Sequence, residues 1–298
     1  MRNIPHSKSF IDSSDEKSIL KILRKGSITK GSLNKVFARM LGNVLDLDYI
    51  NLTSSGTMAF YKILLALNVS NKDEILIPDY ICNTLIKPIM QSGSKAVVYD
   101  NVDESWLSSI EIILKKITKK TKIIVINHTF GFAFQDILNL KKKLPSNIYI
   151  IEDCCHALAN KSLIGKTKIS IHSICSFYSF NATKLIATGE GGAIATNDKS
   201  FYKELMNINI GDNLSDLNCC LGMEQLKKLP VFLKKRKKIA GKYNQAFKDY
   251  RPNIFFKHDS IHYRYPILVN DNSKFLNSKS ITYRNGVDSL CSDILKIN

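Results

Sequence analysis

Long hydrophobic runs are missing from this sequence. No stretch of its 298 residues approaches the length of a membrane span, and the opening MRNIPHSKSF lacks the apolar core of a signal peptide. Internal repeats are also absent, and the only compositional bias is toward lysine. We therefore expect a cytoplasmic protein with no membrane partner, built as one large α/β unit with a smaller appendage.

Acidic side chains are few: 26 Asp and Glu residues stand against 43 Lys and Arg residues, which gives a formal net charge of +17. Such an excess is one mark of nucleic-acid binding. The basic residues are, however, spread in short clusters, and the longest run, 234–238, lies in a predicted helix. We favour a solvated, lysine-rich surface and no nucleic-acid partner. A weaker alternative is a positive potential that attracts an anionic substrate such as a nucleotide-linked sugar.

The seven cysteines have no metal-ligand spacing, and their number is odd. Cys154-Cys155 and Cys219-Cys220 are adjacent pairs, which rarely form a disulfide of normal geometry. We expect these cysteines to act as small apolar side chains in a reduced protein without a metal site.

From residue 57 onward, short apolar runs alternate with helical patterns. The pattern predicts strands at 74–78, 95–100, 122–128, 147–154, 173–177, 192–196 and 262–269. It predicts helices at 58–67, 80–90, 106–117, 136–144, 199–208 and 217–247. Buried strands separated by helices are typical of a mostly parallel sheet covered on both faces. The ligand crevice of such a sheet lies beyond the carboxyl ends of its strands.

Polar groups fall at two of those strand ends, Asn127-His128 and Glu152-Asp153. A carboxylate after five apolar or aromatic residues is poorly solvated, so Asp153 needs a cationic or N–H partner. A pyridinium nitrogen would supply one, but an internal salt bridge is the more common outcome.

Lys184 lies among small and apolar residues in the segment SFYSFNATKLIATGEGG, residues 176–192. Desolvation in such a setting is expected to lower the pKa of the ammonium and make the free amine nucleophilic. The alternative is surface exposure, which is common for lysine. Residues 189–192 predict a tight turn into the next strand.

Two further segments are candidates for binding a ligand. Residues 54–57, SSGT, precede a predicted helix, whose N-terminal N–H groups attract anions, although an ordinary helix cap uses the same residues. Asn213 lies in the loop before the helix that begins near residue 217 and is the one polar candidate there.

The order and wording of these segments together resemble the DegT/DnrJ/StrS sugar aminotransferases, a family of fold-type-I enzymes that use pyridoxal 5'-phosphate. The matching segments, from about Gly26 to Leu229, are GSITKG, SSGTMAF, DEILIP, IIEDCCHALA, SFNATKLIATGEGGAIAT and GDNLSDLNCCLGMEQLKKL. Lysine followed five residues later by Gly-Glu-Gly-Gly is the most specific of them.

The resemblance implies a role for each matching residue. Lys184 would carry the cofactor as a Schiff base, Asp153 would pair with the pyridine nitrogen, and His156 would lie near the phenolic oxygen. The phosphate would be held by Gly56, Thr57, Met58 and Ser179, and by Asn213 from a neighbouring subunit, which makes the site that of a homodimer.

The resemblance also implies a fold and a reaction. The large domain, 1–210, would hold the cofactor, with 1–50 as its N-terminal segment, and 211–298 would form a small, shortened C-terminal α+β domain. An amino donor, glutamate in most of the family, would supply nitrogen to a nucleotide-linked keto sugar for polysaccharide or glycan biosynthesis. Some relatives have histidine in place of this lysine and catalyse dehydration, so Lys184 favours the aminotransferases.

The sequence departs from the family pattern in several places. Cys82 replaces the usual aromatic residue, so Tyr80 is the candidate to stack on the cofactor ring. Ser215 replaces an arginine, and the region after the predicted helix at 217–247 is short. These departures leave two alternatives open: another pyridoxal-phosphate reaction on this fold, or a catalytically weak homologue with a regulatory or structural role.

Overall fold

The computed structural model describes residues 5–29, 31–158, 170–250, 260–268 and 286–297. A seven-stranded sheet runs in the order β1-β7-β6-β5-β4-β2-β3. Its strands are β1 (Tyr49–Thr53), β2 (Glu74–Pro78), β3 (Lys95–Tyr99), β4 (Thr121–Asn127), β5 (Tyr149–Asp153), β6 (Cys175–Ser179) and β7 (Gly192–Thr196). Five neighbours, β3, β2, β4, β5 and β6, are parallel, and β7 alone runs antiparallel between β6 and β1.

Nine α-helices lie in the described residues. They are α1 (Ser13–Lys25), α2 (Leu33–Leu45), α3 (Gly56–Ala66), α4 (Ile86–Gln91), α5 (Ile110–Lys115), α6 (Ile137–Lys143), α7 (Lys199–Asn207), α8 (Asp216–Ala246) and α9 (Cys291–Leu295). Short 3₁₀ turns occupy Asn83–Leu85, Thr129–Gly131 and Lys248–Tyr250. No helix in the described ranges is long and apolar enough to cross a membrane.

Helices cover both faces of the sheet, so the α/β three-layer architecture expected from the sequence is confirmed. Successive residues of β2 point to opposite faces, which is why the whole strand is buried. Ile75 and Ile77 pack with α3, α4 and α7 on one face. Leu76 packs with α5 and α6 on the other, where α2 and α8 cover the β1-β7-β6 end.

The long helix α8 contacts both α1 and α2 and holds them in place. Lys228 Nζ lies 2.6 Å from an Asp12 carboxylate oxygen and 2.5 Å from one of Asp15, a residue only 1% exposed. On α2, the Phe37 ring meets Gly222, where an added Cβ would lie 2.5 Å from Cζ of the ring. Only glycine therefore allows these two helices to approach so closely.

Most predicted elements are present, with four differences. The strand β1 was not predicted, the helix expected at 80–90 begins only with the turn at Asn83, and the helix expected at 106–117 is limited to α5. Residues 262–268 of the predicted strand 262–269 form no strand, and residue 269 lies outside the described residues. The boundary at 210/211 and the small domain stay predictions, since 251–259 and 269–285 also lie outside the described residues.

Candidate active site

Asp153 lies at the carboxyl end of β5, directly beside Asn127 at the end of β4. Its side chain is 8% exposed, and Oδ1 accepts a hydrogen bond from the Cys155 N–H at 2.9 Å. Within the described ranges no ion pair engages this carboxylate. The internal salt bridge considered from the sequence is therefore not found among these residues, and Asp153 remains available to a cationic ligand.

The N-terminus of α3 lies against the ends of β6 and β7. A Cβ on Gly56 would lie 2.9 Å from Cβ of Ser179 and 3.4 Å from Sγ of Cys155, and one on Gly192 would overlap the Ser55 carbonyl oxygen. Glycine at both positions brings the first turn of the helix into the crevice. Gly56, Ser179 and Asp153 are thus gathered at one edge of the sheet, and their roles in binding a cofactor stay predictions.

Two of the first three N–H groups of α3 remain suited to an anion. The N–H of Met58 donates to Oγ of Ser55 at 3.1 Å, which is an ordinary helix cap. Gly56 and Thr57 are the first two helical residues, whose N–H groups have no intrahelical acceptor. Oγ1 of Thr57 lies 3.4 Å from Oγ1 of Thr84. The cap at Met58 makes its N–H a weaker candidate for the phosphate than those of its two neighbours.

Lys184 points into the same crevice. Its ammonium interacts electrostatically with four nearby side chains: Cys155, Tyr263, Asp153 and Cys82. Its Nζ lies 5.8 Å from the centre of the Tyr263 ring. Burial acts to lower the pKa of Lys184, but these neighbours outweigh it and the net pKa is raised. The lowered pKa expected from the sequence is therefore wrong for the protein alone, because the pocket is lined by groups that stabilise the ammonium.

His156 is neutral and has a defined tautomer. Burial, with the nearby charges of Lys184 and Arg264, holds the pKa of His156 well below its usual value. The Phe130 N–H donates to His156 Nδ1 at 3.3 Å, so the ring proton lies on Nε2. The imidazole stacks on the Tyr263 ring with centroids 4.4 Å apart. His156 can therefore donate a hydrogen bond to an anionic oxygen from Nε2.

Tyr263 and Arg264 are site residues that sequence reasoning missed. Ser260 forms an isolated bridge with Phe132, and the Ile261 and Arg264 N–H groups donate to Gly131 and Phe130 carbonyls at 3.0 and 3.3 Å. These contacts bring Tyr263 against His156. The segment 262–269 was predicted only as a strand, and its aromatic and basic side chains carry no motif that marks them as site residues.

Phe130 links His156 to Arg264 and has an energetically unfavourable backbone conformation. Its φ is 57°, in the left-handed region that bulky residues rarely adopt. The N–H of this residue is bound to His156 and its carbonyl to Arg264, so the two hydrogen bonds hold the conformation in place.

Tyr80 is part of an aromatic wall that it forms with Phe130, Trp106 and Phe132. Its ring meets the Phe130 ring edge-on at 6.1 Å, and its hydroxyl is hydrogen bonded to the Val287 backbone. Beside it, Asp79 accepts hydrogen bonds from the Ser292 N–H at 2.7 Å and the Ser292 hydroxyl at 2.8 Å. Cys82, in contrast, is exposed and is the residue of this loop that interacts with Lys184.

Asn213 is exposed, and the residue before it is anchored. Asp212 and Lys62 of α3, each only 5% exposed, form an ion pair of 3.2 Å. This ion pair attaches the loop that carries Asn213 to α3, the helix whose first turn enters the crevice.

A buried polar network lies behind the site. His128 Nε2 meets Glu152 at 2.9 Å, and the Phe134 N–H donates to His128 Nδ1 at 3.1 Å. The Glu152 carboxylate also accepts from the Ser170 N–H and from the Ser173 hydroxyl. With Cys154, His128 and Glu152 have donor atoms within 4.8 Å of one another, as a metal site would require. Because these polar atoms already bind protein partners, the network serves β4 and β5 structurally, and the absence of a metal stays a prediction.

Comparisons with known proteins agree with this geometry. The model of the DegT/DnrJ/EryC1/StrS aminotransferase family matches residues 10–284. The chain is 31% identical to the GDP-perosamine synthase of Escherichia coli O157:H7 over 235 residues, which are 73% of this chain and 64% of that protein. It is 27% identical to the UDP-4-amino-4,6-dideoxy-N-acetyl-beta-L-altrosamine transaminase of Helicobacter pylori, covering 94% of this chain and 80% of that protein.

The chain thus spans less than two thirds of the first relative's length. Among solved structures, the fold is similar to that of the Escherichia coli GDP-4-keto-6-deoxy-D-mannose-3-dehydratase, with a TM-score of 0.82 and 23% identity. That match covers 99% of this chain and 89% of the other.

Proposed function

Because this chain belongs to the DegT/DnrJ/EryC1/StrS aminotransferase family, we propose that it is a pyridoxal-phosphate-dependent aminotransferase acting on a nucleotide-linked keto sugar. The relatives named above are a GDP-sugar synthase and a UDP-sugar transaminase, which supports this class of substrate. Glutamate is the proposed amino donor, and glycan biosynthesis is the proposed use of the product. The observation that carries the proposal is the meeting of Lys184, Asp153 and His156 in one crevice.

The residues present fit the cofactor. Asp153 offers a buried carboxylate to a protonated ring nitrogen, and the first N–H groups of α3 with the Ser179 hydroxyl offer donors to a phosphate. His156 offers its Nε2 proton to a phenolic oxygen. When bound, pyridoxal phosphate supplies an aldehyde for amines and a ring that accepts electrons from the reacting carbon.

The chain's own contribution is to bind, orient and move protons. Lys184 would hold the cofactor and then exchange a proton with the substrate carbon through Nζ. Asp153 would keep the ring nitrogen protonated, because a carboxylate beside a cation favours the charged pair. Tyr80 is still the candidate to stack on the cofactor ring, and the hydrogen bond between its hydroxyl and the Val287 backbone would hold the ring in place.

Absorption spectroscopy tests this proposal. Protein incubated with pyridoxal phosphate should show a visible absorption band that shifts when glutamate is added. Lys184→Ala should abolish the band, whereas Lys199→Ala, which removes an exposed lysine of α7, should leave it unchanged. A wild-type protein that takes up no cofactor would contradict the proposal and favour the non-catalytic alternative.

We also propose that Asn213 completes the site of a second subunit in a cytoplasmic homodimer. Its exposure is compatible with a contact to another chain, and the seven free cysteines suit a reducing compartment. Mixing Lys184→Ala with Asn213→Ala subunits should restore activity, since one site of each mixed dimer would have both native residues. No restoration, despite subunit exchange, would mean that Asn213 acts within its own chain.

A further inference from the structure

Three cationic side chains surround the ring of Tyr263. The guanidinium carbons of Arg264 and Arg236 lie 4.6 and 5.8 Å from the ring centre, and Lys184 Nζ lies 5.8 Å away. Among residues with a described placement, no carboxylate forms an ion pair with either arginine. Such a concentration of positive charge beside a crevice attracts anions.

Arg236 is already committed to the fold. Its Nη1 donates to the carbonyls of Tyr263 at 2.7 Å and of His262 at 3.3 Å. Burial and the charge of Arg264 lower the pKa of this guanidinium. Arg236 therefore anchors residues 262–263, and Lys184 is the amine proposed to bind the cofactor. Arg264 is the remaining cation.

Two contacts hold Arg264 at the rim of the site: one from its backbone N–H and one between its guanidinium and the Tyr263 ring. Its N–H donates to the Phe130 carbonyl at 3.3 Å, and its Nη2 lies 3.4 Å from the Tyr263 hydroxyl. That hydroxyl donates to the Thr183 carbonyl at 3.0 Å, one residue before Lys184. Arg264 is half-buried, and among the described residues its guanidinium, which has five N–H donors, donates to the Tyr263 hydroxyl.

We propose that Arg264 binds an oxyanion of the substrate, either a carboxylate or a phosphate. This inference rests on the proposed function and names the residue that would recognise the anionic part of its substrates. A planar guanidinium stacked on an aromatic ring presents a fixed pair of donors to two oxygens of one group.

Two substrates could provide this oxyanion: the carboxylate of the amino donor, or the diphosphate of the nucleotide sugar. Calorimetric titration separates them, with succinate as the carboxylate probe and UDP and GDP as the diphosphate probes. The titrations use protein incubated with pyridoxal phosphate, in the wild type, Arg264→Gln and Arg264→Lys. Lys242→Gln, which removes an exposed charge from α8, is the matched control for net charge.

We expect Arg264→Gln to weaken one class of probe by about tenfold or more, because a charge-assisted pair of hydrogen bonds is lost. Arg264→Lys should give an intermediate affinity, since it keeps the charge but not the paired donors. Lys242→Gln should stay within about twofold of the wild type, because surface charges contribute little. Weaker succinate binding alone identifies the donor carboxylate, and weaker nucleotide binding alone identifies the diphosphate.

The proposal is overturned if the wild type binds none of the probes, or if Arg264→Gln binds all of them within about twofold of the wild type. The visible spectrum of each variant reports the cofactor at Lys184 separately. If the wild type takes up no pyridoxal phosphate, the proposed function fails, while the same titrations on the cofactor-free protein still test Arg264. A thermal unfolding midpoint that Arg264→Gln leaves unchanged shows that the lost affinity is not a loss of folding.

Discussion

The buried ion pair between Lys62 and Asp212 makes a measurable prediction about stability. Both residues are 5% exposed, and Lys62 lies on α3 beside the apolar residues Ala59 and Ile63. The second carboxylate oxygen, Oδ2 of Asp212, is buried and accepts no hydrogen bond from the residues that the structure describes. Lys62 is thus the charge that compensates Asp212, and the pair links α3 to the loop of Asn213.

Replacing only the lysine should be costly. Lys62→Met keeps a similar volume but leaves a carboxylate buried without its counter-charge, which typically destabilises a protein by about 3–5 kcal/mol. That is a large share of the roughly 5–15 kcal/mol that stabilises an ordinary domain. Lys62→Met/Asp212→Leu should recover most of the loss, because a buried pair replaced by apolar residues is often neutral in free energy.

Urea denaturation followed by circular dichroism measures these differences. Lys199→Met, at an exposed position of α7, should change the free energy of unfolding by less than about 0.5 kcal/mol. The reasoning is refuted if Lys62→Met lies within about 1 kcal/mol of the wild type. It is also refuted if the double variant is no more stable than Lys62→Met.

Three further predictions concern other parts of the molecule. Because the pKa of His156 is lowered, the unfolded chain binds its proton more readily than the folded one, so stability falls as the pH drops below about 6.5. In the cofactor-free protein, unfolding curves of the wild type and His156→Gln should differ in slope by up to about 1.4 kcal/mol per pH unit, and parallel curves would contradict this. Gly192→Ala should prevent cofactor uptake and destabilise the protein by about 1–3 kcal/mol, because its Cβ meets the Ser55 backbone. Gly241→Ala, with nothing within 4 Å of its Cβ, is the control and should be neutral or slightly stabilising. Lys228→Met should release α1, since Asp15 loses its cation. Trypsin should then cut more rapidly within 26–31, and an unchanged cleavage rate would show that packing and the hydrogen bond from Gln225 to Asp15 suffice to hold the helix.

Strands β2 and β7 could be predicted because each is both apolar in sequence and buried in the structure. Glu74–Pro78 and Gly192–Thr196 are found at their predicted bounds, since each is a short apolar run closed by turn residues. The β1 strand, YINLT, was missed because its polar Asn51 and Thr53 interrupt the apolar pattern. Its pairing with β7 is a contact between distant residues, which local sequence cannot indicate.

The candidate site was predictable where it follows a motif and not where it depends on tertiary contacts. Asp153, Gly56 and Ser179 meet because strand ends and a helix start converge at one edge. Tyr263 and Arg264 reach the same crevice through single contacts with 130–132, and no periodic pattern encodes those. The raised pKa of Lys184 has the same origin, since its causes are neighbours from three separate segments.

The helix expected at 80–90 begins later than predicted for a similar reason. Asp79 and Tyr80 bind 287–292 instead of beginning a helical turn, and Trp106 joins the aromatic wall instead of extending α5. In both places a side chain with a distant partner outweighs local helical propensity.

The hydrogen bonds between Asp79 and Ser292 also have a consequence for how the chain folds while it is being synthesised. The two residues are 213 positions apart in the sequence. At about 5–20 residues per second, a ribosome needs roughly 10–40 s to make the second after the first. During that interval the nascent chain can pair β2 with its neighbouring strands, but the loop after β2 still lacks its hydrogen bonds to Ser292. The loop after β2 is therefore among the last parts of this molecule to take its final shape.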